Sequence, residues 1–592
     1  MDGRVQLLVV AAVGLLAYAN TFEAPFTFDD ARCIVANPVL RDAGYFLEPD
    51  RAASLPLSLQ CGFPTRYAGH LTFALNYRLG GIEPAGYHAV NLAVHVGSAL
   101  LVYLLVALAL RSPFFEGRPS QPRARAFLPV LAALLFVAHP LQTGAVTYVT
   151  QRFASLATLL YLAAVVLYLA ARLSGAPGRS VLAYGGALGA ASVAMVTKEI
   201  AVTLPFALVL CELSFLRGPW PRRLLRLAPF LATPLILAWV LGAFAPGTTL
   251  AGFDEGLQQA GQSTLSRGEY VVTQLRVIAT YLRLFVLPVG QNLDWDYPQY
   301  RSPLALPVLL SLALHSALLA LAIALHVRSR RPEAPGELRL GSFGLLWFFL
   351  AHAPESSVVP LSDILFEHRM YLPSVGLCVA AASLALALRE RLLRTRPAAA
   401  AAVVPAISAA VLVLAAATFA RNHVWGDEVR LWEDAAGKSP SKLRPRMQLA
   451  ALYSARGRFD DALREAQAAI SLRPGSAEAR NTLGVILRRQ GRLPEAMESY
   501  LAALQLDPGF AEARHNVALL LAAEGHLDEA IRELEQAVRS KPDYAEARNA
   551  LGVLYAQRGR LPEAIREWEA VLRIHPTHAK ARANLDRAVR GY

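Results

Sequence analysis

Residues 477–508 read AEARNTLGVILRRQGRLPEAMESYLAALQLDP. Two apolar-periodic stretches, Ala477–Gln490 and Pro494–Leu506, flank Gly491-Arg492-Leu493, and Asp507-Pro508 closes the unit. Helix, glycine-containing turn, helix and proline stop is the order that these residue types favour. The unit recurs. Pro440, Pro474, Pro508, Pro542 and Pro576 stand 34 residues apart. Gly457, Gly491, Gly525 and Gly559 keep that step, as do Ala462, Ala496, Ala530 and Ala564. A fixed period of this length marks a stacked helical array. The small alanine lets paired helices approach closely, and Leu483, Gly484 and Ala503 fit the packed faces.

This pattern resembles tetratricopeptide repeats, four in number, with a capping helix from about His578. The resemblance implies a right-handed superhelix with a concave binding surface. Such an array binds partners and does no chemistry of its own.

Upstream of the repeats the composition changes. The whole chain of 592 residues is 55% hydrophobic and 17% charged, against about 25% charge in a soluble globular protein. Residues 421–592 carry 27 basic and 23 acidic residues, which leaves 31 basic and 22 acidic in residues 1–420. A soluble enzyme, a disordered chain and a small disulfide scaffold are thereby excluded. Apolar runs fit for crossing helices are Leu7–Ala19, Val90–Leu110, Phe127–Val137, Phe153–Ala171, Val181–Val196, Ile200–Leu216, Leu225–Phe244, Pro303–His326, Phe343–Ala351, Leu372–Leu388 and Ala398–Phe419. The first also has the length of a signal peptide, but no small-residue cleavage site follows it, so it reads as an uncleaved anchor. The expected fold is all-α: a polytopic membrane bundle of about 11 spans over residues 1–420, a linker over 421–440 and a repeat solenoid over 441–592.

Arginine placement sets the expected orientation. Five alternate loops, from Arg111 to Arg396, hold 18 basic residues against four acids. The positive-inside rule puts them in the cytoplasm. They share one side only if Tyr270–Pro288, interrupted by Arg276 and Arg283, lies at the outer interface as an amphipathic helix. The N-terminus is then cytoplasmic, while the opening loop and the repeats lie outside, periplasmic in an inner-membrane protein. The net charge of +13 becomes a topology signal, and nucleic acid drops out as a partner. Five lysines against 53 arginines, with four cysteines, suit a high-GC bacterium.

The outer loops carry the chemistry-bearing residues. The first ends in Asp29-Asp30 just past the anchor, and a carboxylate there can serve as general base for a hydroxyl. Asp is also a favoured helix N-cap, and Ala31–Ala36 could follow helically. Tyr87-His88, Asn91 and His95 stand at a membrane entry, where His95 reads as a satisfied structural histidine. His139-Pro140-Leu141-Gln142-Thr143 with Tyr148 and Gln151-Arg152 form a second loop, Lys198-Glu199 a third. Glu355-Ser356-Ser357, Asp363 and Glu367-His368-Arg369-Met370-Tyr371 form a fourth. Ionisable groups at membrane depth are costly and mark functional sites. Acids with Arg and Lys on one face suit an anionic lipid-phosphate donor. No metal-ligand spacing occurs, and Cys33 and Cys61 are left as a possible disulfide or two free thiols.

The order FDD, YHxxNxxxH, HPxQTxxVxYxxQR, KE, EHRMYLP and then repeats resembles the transmembrane and tetratricopeptide-repeat O-mannosyltransferases of the C-type glycosyltransferase superfamily, with this chain as a bacterial relative. Asn422, Trp425, Leu431-Trp432 and Ser439-Pro440 resemble that family's linker. The resemblance implies a polyprenyl-phosphate sugar as donor, a protein hydroxyl as acceptor and no certain cofactor. It assigns Asp29 and Asp30 as the acidic pair, Arg152, Lys198 and Arg369 to the donor phosphate, and His88, His139, Glu199, Glu367 and His368 to orientation. Pro64-Thr65-Arg66-Tyr67 departs from the family's Arg-Pro order, which weakens Arg66 as a carry-over. The competing reading is a non-catalytic membrane-anchored scaffold for envelope assembly. A transporter would need two halves related by internal repeats, and the membrane half has none.

Overall fold

The computed structural model describes residues 2–55, 57–118, 122–242, 265–356, 360–361, 363–575 and 578–590. Pro576 and Ser357 lie outside the described residues, as do the side chains of Arg123 and Arg125. Every regular element among the described residues is helical. The chain divides into two compact units, one of Met1–Val35, Gly62–Leu293 and Tyr297–Asp427, the other of Ala36–Cys61, Asp294–Asp296 and Glu428–Tyr592.

Numbering helices of seven residues or more, the first unit contains α1 (Gly3–Ala17), α2 (Tyr67–Gly80), α3 (Pro84–Leu110), α4 (Pro122–Val137), α5 (Arg152–Leu173), α6 (Pro177–Met195) and α7 (Leu204–Phe215). These are followed by α8 (Trp220–Leu231), α9 (Pro234–Val240), α10 (Arg267–Val286), α11 (Leu306–Arg328), α12 (Glu337–His352), α13 (Tyr371–Thr395) and α14 (Pro397–Trp425). The result is a polytopic membrane helix bundle. Six helical stretches are long and apolar enough to cross: Pro84–Leu110, Val149–Leu173, Trp220–Val240, Leu306–Arg328, Glu367–Thr395 and Pro397–Trp425. A seventh forms if Ala126–Val137 and Pro140–Val146, bent by 51°, act as one broken span. Hydropathy gave eleven segments. The difference lies in length and composition: α1 has 15 residues, α7 12 and α12 16, while α6 is diluted by four glycines. The amphipathic α10 starts with a Ser266–Glu269 capping box and is not among the six.

One core joins α1, α3–α8, α12 and α13 through residues such as Val10, Val102, Phe136, Tyr161, Phe215, Trp347 and Val375. Its closest seam is α12 against α13. A Cβ built on Gly344 would fall on the carbonyl of Gly376, and one on Gly376 would fall on the carbonyl of Gly344. Small residues that let backbones touch are the usual basis of helix association in lipid.

In the second unit the 34-residue step becomes geometry. Gly457, Gly491, Gly525 and Gly559 take φ of 74°, 80°, 87° and 72°, a left-handed conformation that costs a side chain dearly. Ala462, Ala496, Ala530 and Ala564 are all 0% exposed. Ion pairs repeat with the period: Arg446–Glu465 at 2.9 Å, Arg514–Glu533 at 2.6 Å and Arg548–Glu567 at 2.6 Å. Bulky side chains cross over small ones, Tyr500 against Gly484 and Trp568 against Gly552. The capping helix runs Ala579–Arg590. Asp294 joins this unit through Lys442 at 2.8 Å and Arg444 at 3.5 Å.

Candidate functional site

The loop leaving α1 reaches its acids through an awkward backbone. Phe28 holds a φ of 53°, a strained region for a bulky residue. The two carboxylates that follow have different surroundings. Asp30 is 0% exposed. It accepts from the backbone N–H of Thr27 at 3.1 Å and of Thr150 at 2.7 Å, and from the Thr150 hydroxyl. Burial pushes its carboxyl up to about 7, helped by the neighbouring Asp29 and opposed by the Thr150 and Thr27 bonds. Asp29 keeps 32% of its side chain exposed. Its carboxylate accepts from the Tyr148 hydroxyl at 2.8 Å and from Arg32 at 3.1 Å. Tyr148 in turn stacks 5.8 Å from Trp425, and burial together with Asp29 raises its phenol well above the usual range. Of the pair, Asp29 is the carboxylate that solvent can reach. In the same opening loop Cys33 and Cys61 are both disulfide-bonded.

A second cluster is cationic. Lys198 is only 6% exposed and lies 3.1 Å from Glu355. Glu199 accepts from the Thr65 hydroxyl at 3.1 Å and from Arg66 at 3.4 Å. Burial alone would raise Glu199, but Arg66 and Lys198 outweigh it and hold the carboxyl below its ordinary range. Lys198, Arg369 and Arg66 all bear electrostatically on His368. Arg369 donates to the carbonyls of Asp363 at 2.8 Å and Ile364 at 3.1 Å, which fixes its direction. Three cations, Lys198, Arg66 and Arg369, thus gather among three carboxylates, Glu199, Glu355 and Asp363, and cations of this kind are the residues that hold phosphates. The segment from Tyr148 to Phe153 touches both: Tyr148 and Thr150 hold the acids, and Arg66 lies 5.5 Å over the Phe153 ring.

The other expected residues sit deeper. Arg152 is 0% exposed and spends its guanidinium on Asn91 and Asn76 at 2.6 Å each, Tyr87 carbonyl at 2.9 Å and Thr72 at 3.4 Å. Phe73 covers it at 4.3 Å. That geometry ties α5 to α2 and α3 rather than presenting a cation to a ligand. His88 bonds the Ala24 carbonyl at 2.9 Å, bracing the loop before the acids. His139 bonds the Phe285 carbonyl at 2.9 Å and stacks on that ring at 4.9 Å. Glu367 accepts from the Asn292 backbone at 2.6 Å and from Gln291 at 2.8 Å. Gly144 packs against the backbone of His368, so the HPxQT and EHRM motifs touch.

Sequence reasoning gave least weight to Arg66, yet it sits in the cation cluster. It did not single out Thr65, Thr150, Gln291 or Asn292. Thr and amide side chains carry no charge signal, and their partners are remote, 134 residues for Thr65 to Glu199 and 120 for Thr150 to Asp30. Among the described residues no three His, Cys, Asp or Glu side chains converge on a metal position.

A tetratricopeptide-repeat family model matches residues 447–509 and 518–579. Protein O-mannosyl-transferase TMTC4 of Mus musculus is 31% identical over 159 residues, covering 26% of this chain and 22% of that protein. The chain is similar to the TMTC protein O-mannosyl-transferases. Among these relatives, Tmtc1 of Drosophila melanogaster is 32% identical over 213 residues, 35% of this chain and 22% of its own. Tmtc2 of the same organism is 29% identical over 309 residues, 49% of this chain and 30% of its own. The chain therefore matches less than a third of the length of each of these TMTC relatives. The repeats also resemble the crystal structure of TTC0263, a thermophilic TPR protein of Thermus thermophilus, at 25% identity and a TM-score of 0.25 over 28% of this chain and 89% of that one.

Proposed function

We propose that this chain is a membrane glycosyltransferase. It moves a sugar, mannose-like by its relatives, from a polyprenyl-phosphate donor to a protein hydroxyl. The observation that supports this reading is a reachable carboxylate, Asp29, in a molecule whose Tyr148–Phe153 segment also touches Arg66 of a largely buried cation cluster. Asp29 takes the proton of the acceptor hydroxyl. The freed oxygen forms a bond to the anomeric carbon, the bond from that carbon to the donor phosphate oxygen breaks, and the electron pair stays on the phosphate. Lys198, Arg66 and Arg369 stabilise that leaving charge. Asp30 holds the loop that aims Asp29, while Glu199, Glu367 and His368 set the cations and their loop. Arg152, His88 and His139 act as braces behind this surface.

The arginine distribution supports a cytoplasmic N-terminus, with this chemistry and the repeats on the opposite, non-cytoplasmic side of an inner membrane. The repeats bind the acceptor or a partner protein. The test is sugar transfer from polyprenyl-phosphate donors by the purified full chain and by Asp29→Asn. A variant that transfers at the parental rate would overturn the mechanism. If Asp29→Asn and Lys198→Gln both left cellular function intact while changes in the repeats abolished it, the scaffold reading would replace this one.

A further inference from the structure

The opposite end of α5 carries a feature that the transfer reaction does not use. Arg172 lies 20 residues from Arg152 on that helix, about 30 Å away at the helical rise. There Ala171, Arg172, Ser174, Ser180, Val181, Tyr184 and Arg226 line a half-open cavity of about 280 Å³ between α5, α6 and α8.

Its walls are fixed. The Ser180 hydroxyl donates to the Ala171 carbonyl at 2.8 Å, tying α6 to α5, and the Tyr184 hydroxyl donates to the Arg226 carbonyl at 2.7 Å, tying α6 to α8. Behind it lies a buried knot. Glu212, whose side chain is 0% exposed, accepts from Tyr168 at 2.6 Å and from Arg172 at 2.7 Å, with Arg223 at 3.4 Å. One carboxylate therefore serves two arginines. Arg226 adds another positive charge and forms no ion pair among the described residues. Counting Arg172, Arg223 and Arg226 against Glu212, the local balance is two uncompensated positive charges beside a half-open cavity that Arg172 and Arg226 line. Val181, which lines the cavity, is 71% exposed, and exposed apolar side chains stand next in sequence to its lining residues, Leu182 after Val181 at 78% and Leu225 before Arg226 at 76%. A cationic lining with exposed apolar neighbours matches an amphiphile better than a free ion.

We propose that this cavity binds the phosphate headgroup of an anionic membrane phospholipid, whose chains lie along Val181, Leu182 and Leu225. The site is independent of the sugar-transfer reading and holds whether or not the chain is a transferase.

The test uses the full chain in nanodiscs of phosphatidylcholine doped with phosphatidylglycerol, with retained lipids counted by native mass spectrometry. The parent should retain phosphatidylglycerol over phosphatidylcholine by about tenfold, the scale of a single charge-assisted contact. Arg226→Gln removes the unpaired charge, and Ser180→Leu fills the cavity without changing charge. Each should cut that preference at least several-fold while Arg226→Lys retains most of it. Equal retention of both lipids by the parent, or full preference in both Arg226→Gln and Ser180→Leu, would overturn the proposal. Displacement of the lipid by millimolar inorganic phosphate alone would reassign the cavity to a free phosphate ion.

Discussion

Arg152→Lys separates a brace from a phosphate ligand, because lysine keeps the charge and loses the fork. The arginine reaches four partners on two helices, at 2.6, 2.6, 2.9 and 3.4 Å, from a position with no exposure. An ammonium is compact and cannot span Asn91, Asn76 and Tyr87 together. Two or more buried acceptors then lose their donor, at about 1–3 kcal/mol each. For two acceptors the sum is about 2–6 kcal/mol, a range that contains the ~3–5 kcal/mol that breaking a buried charged pair costs. Thermal unfolding in detergent, followed by loss of monodisperse protein, should show a fall on the order of 5 °C. The KM for polyprenyl-phosphate donor in the surviving folded fraction should stay near the parental value. A variant with unchanged melting and a donor KM raised about tenfold would refute the bracing role and return Arg152 to the phosphate.

Asp29→Asn should lower sugar transfer about a hundredfold or more, the scale of a general base, with unchanged melting. Asp30→Asn should lower melting as well, because its amide NH₂ must face the N–H of either Thr27 or Thr150, at about 1–3 kcal/mol. The raised carboxyl of Asp30, at about 7, also gives a pH dependence. Unfolded Asp titrates near 3.9, so between about pH 4 and 7 the folded chain holds a proton that the unfolded chain lacks. Stability should therefore decline as pH rises through that window, and melting curves of Asp30→Asn should show a flatter profile. In the repeats, Gly552→Ala puts a methyl 2.7 Å from Trp568 Nε1; overpacking should cost about 1–3 kcal/mol, read as a lower denaturation midpoint with transfer to small acceptors unaffected.

The repeats were legible because their constraint is local and periodic: each glycine at a left-handed turn and each alanine at a helix contact stands at a fixed offset. The acids, Lys198 and the EHRM motif were legible as residue types that a membrane face rarely tolerates. What they do to one another was not. Arg152 and Arg66 look alike in sequence, each one arginine at the start of a helix. Their fates depend on partners 61 to 80 residues away for Arg152 and 133 away for Arg66. Span counting failed to coincide with helix length for a related reason, since hydropathy averages over residues while a helix ends where its backbone does, as α12 does at His352.

The Gly344–Gly376 seam makes α12 and α13 a single rigid lever. Glu355 lies just beyond the end of α12 and Arg369 just before the start of α13. Two backbones in contact cannot slide by a fraction of a turn without collision, so the spacing between these two charges is set as if by a ruler. Lys198 comes to the same place from α6: extended at that one residue, it is buried and ends 3.1 Å from Glu355. The cation cluster thus closes on a gap of preset width, with Glu355 as the post against which Lys198 is seated.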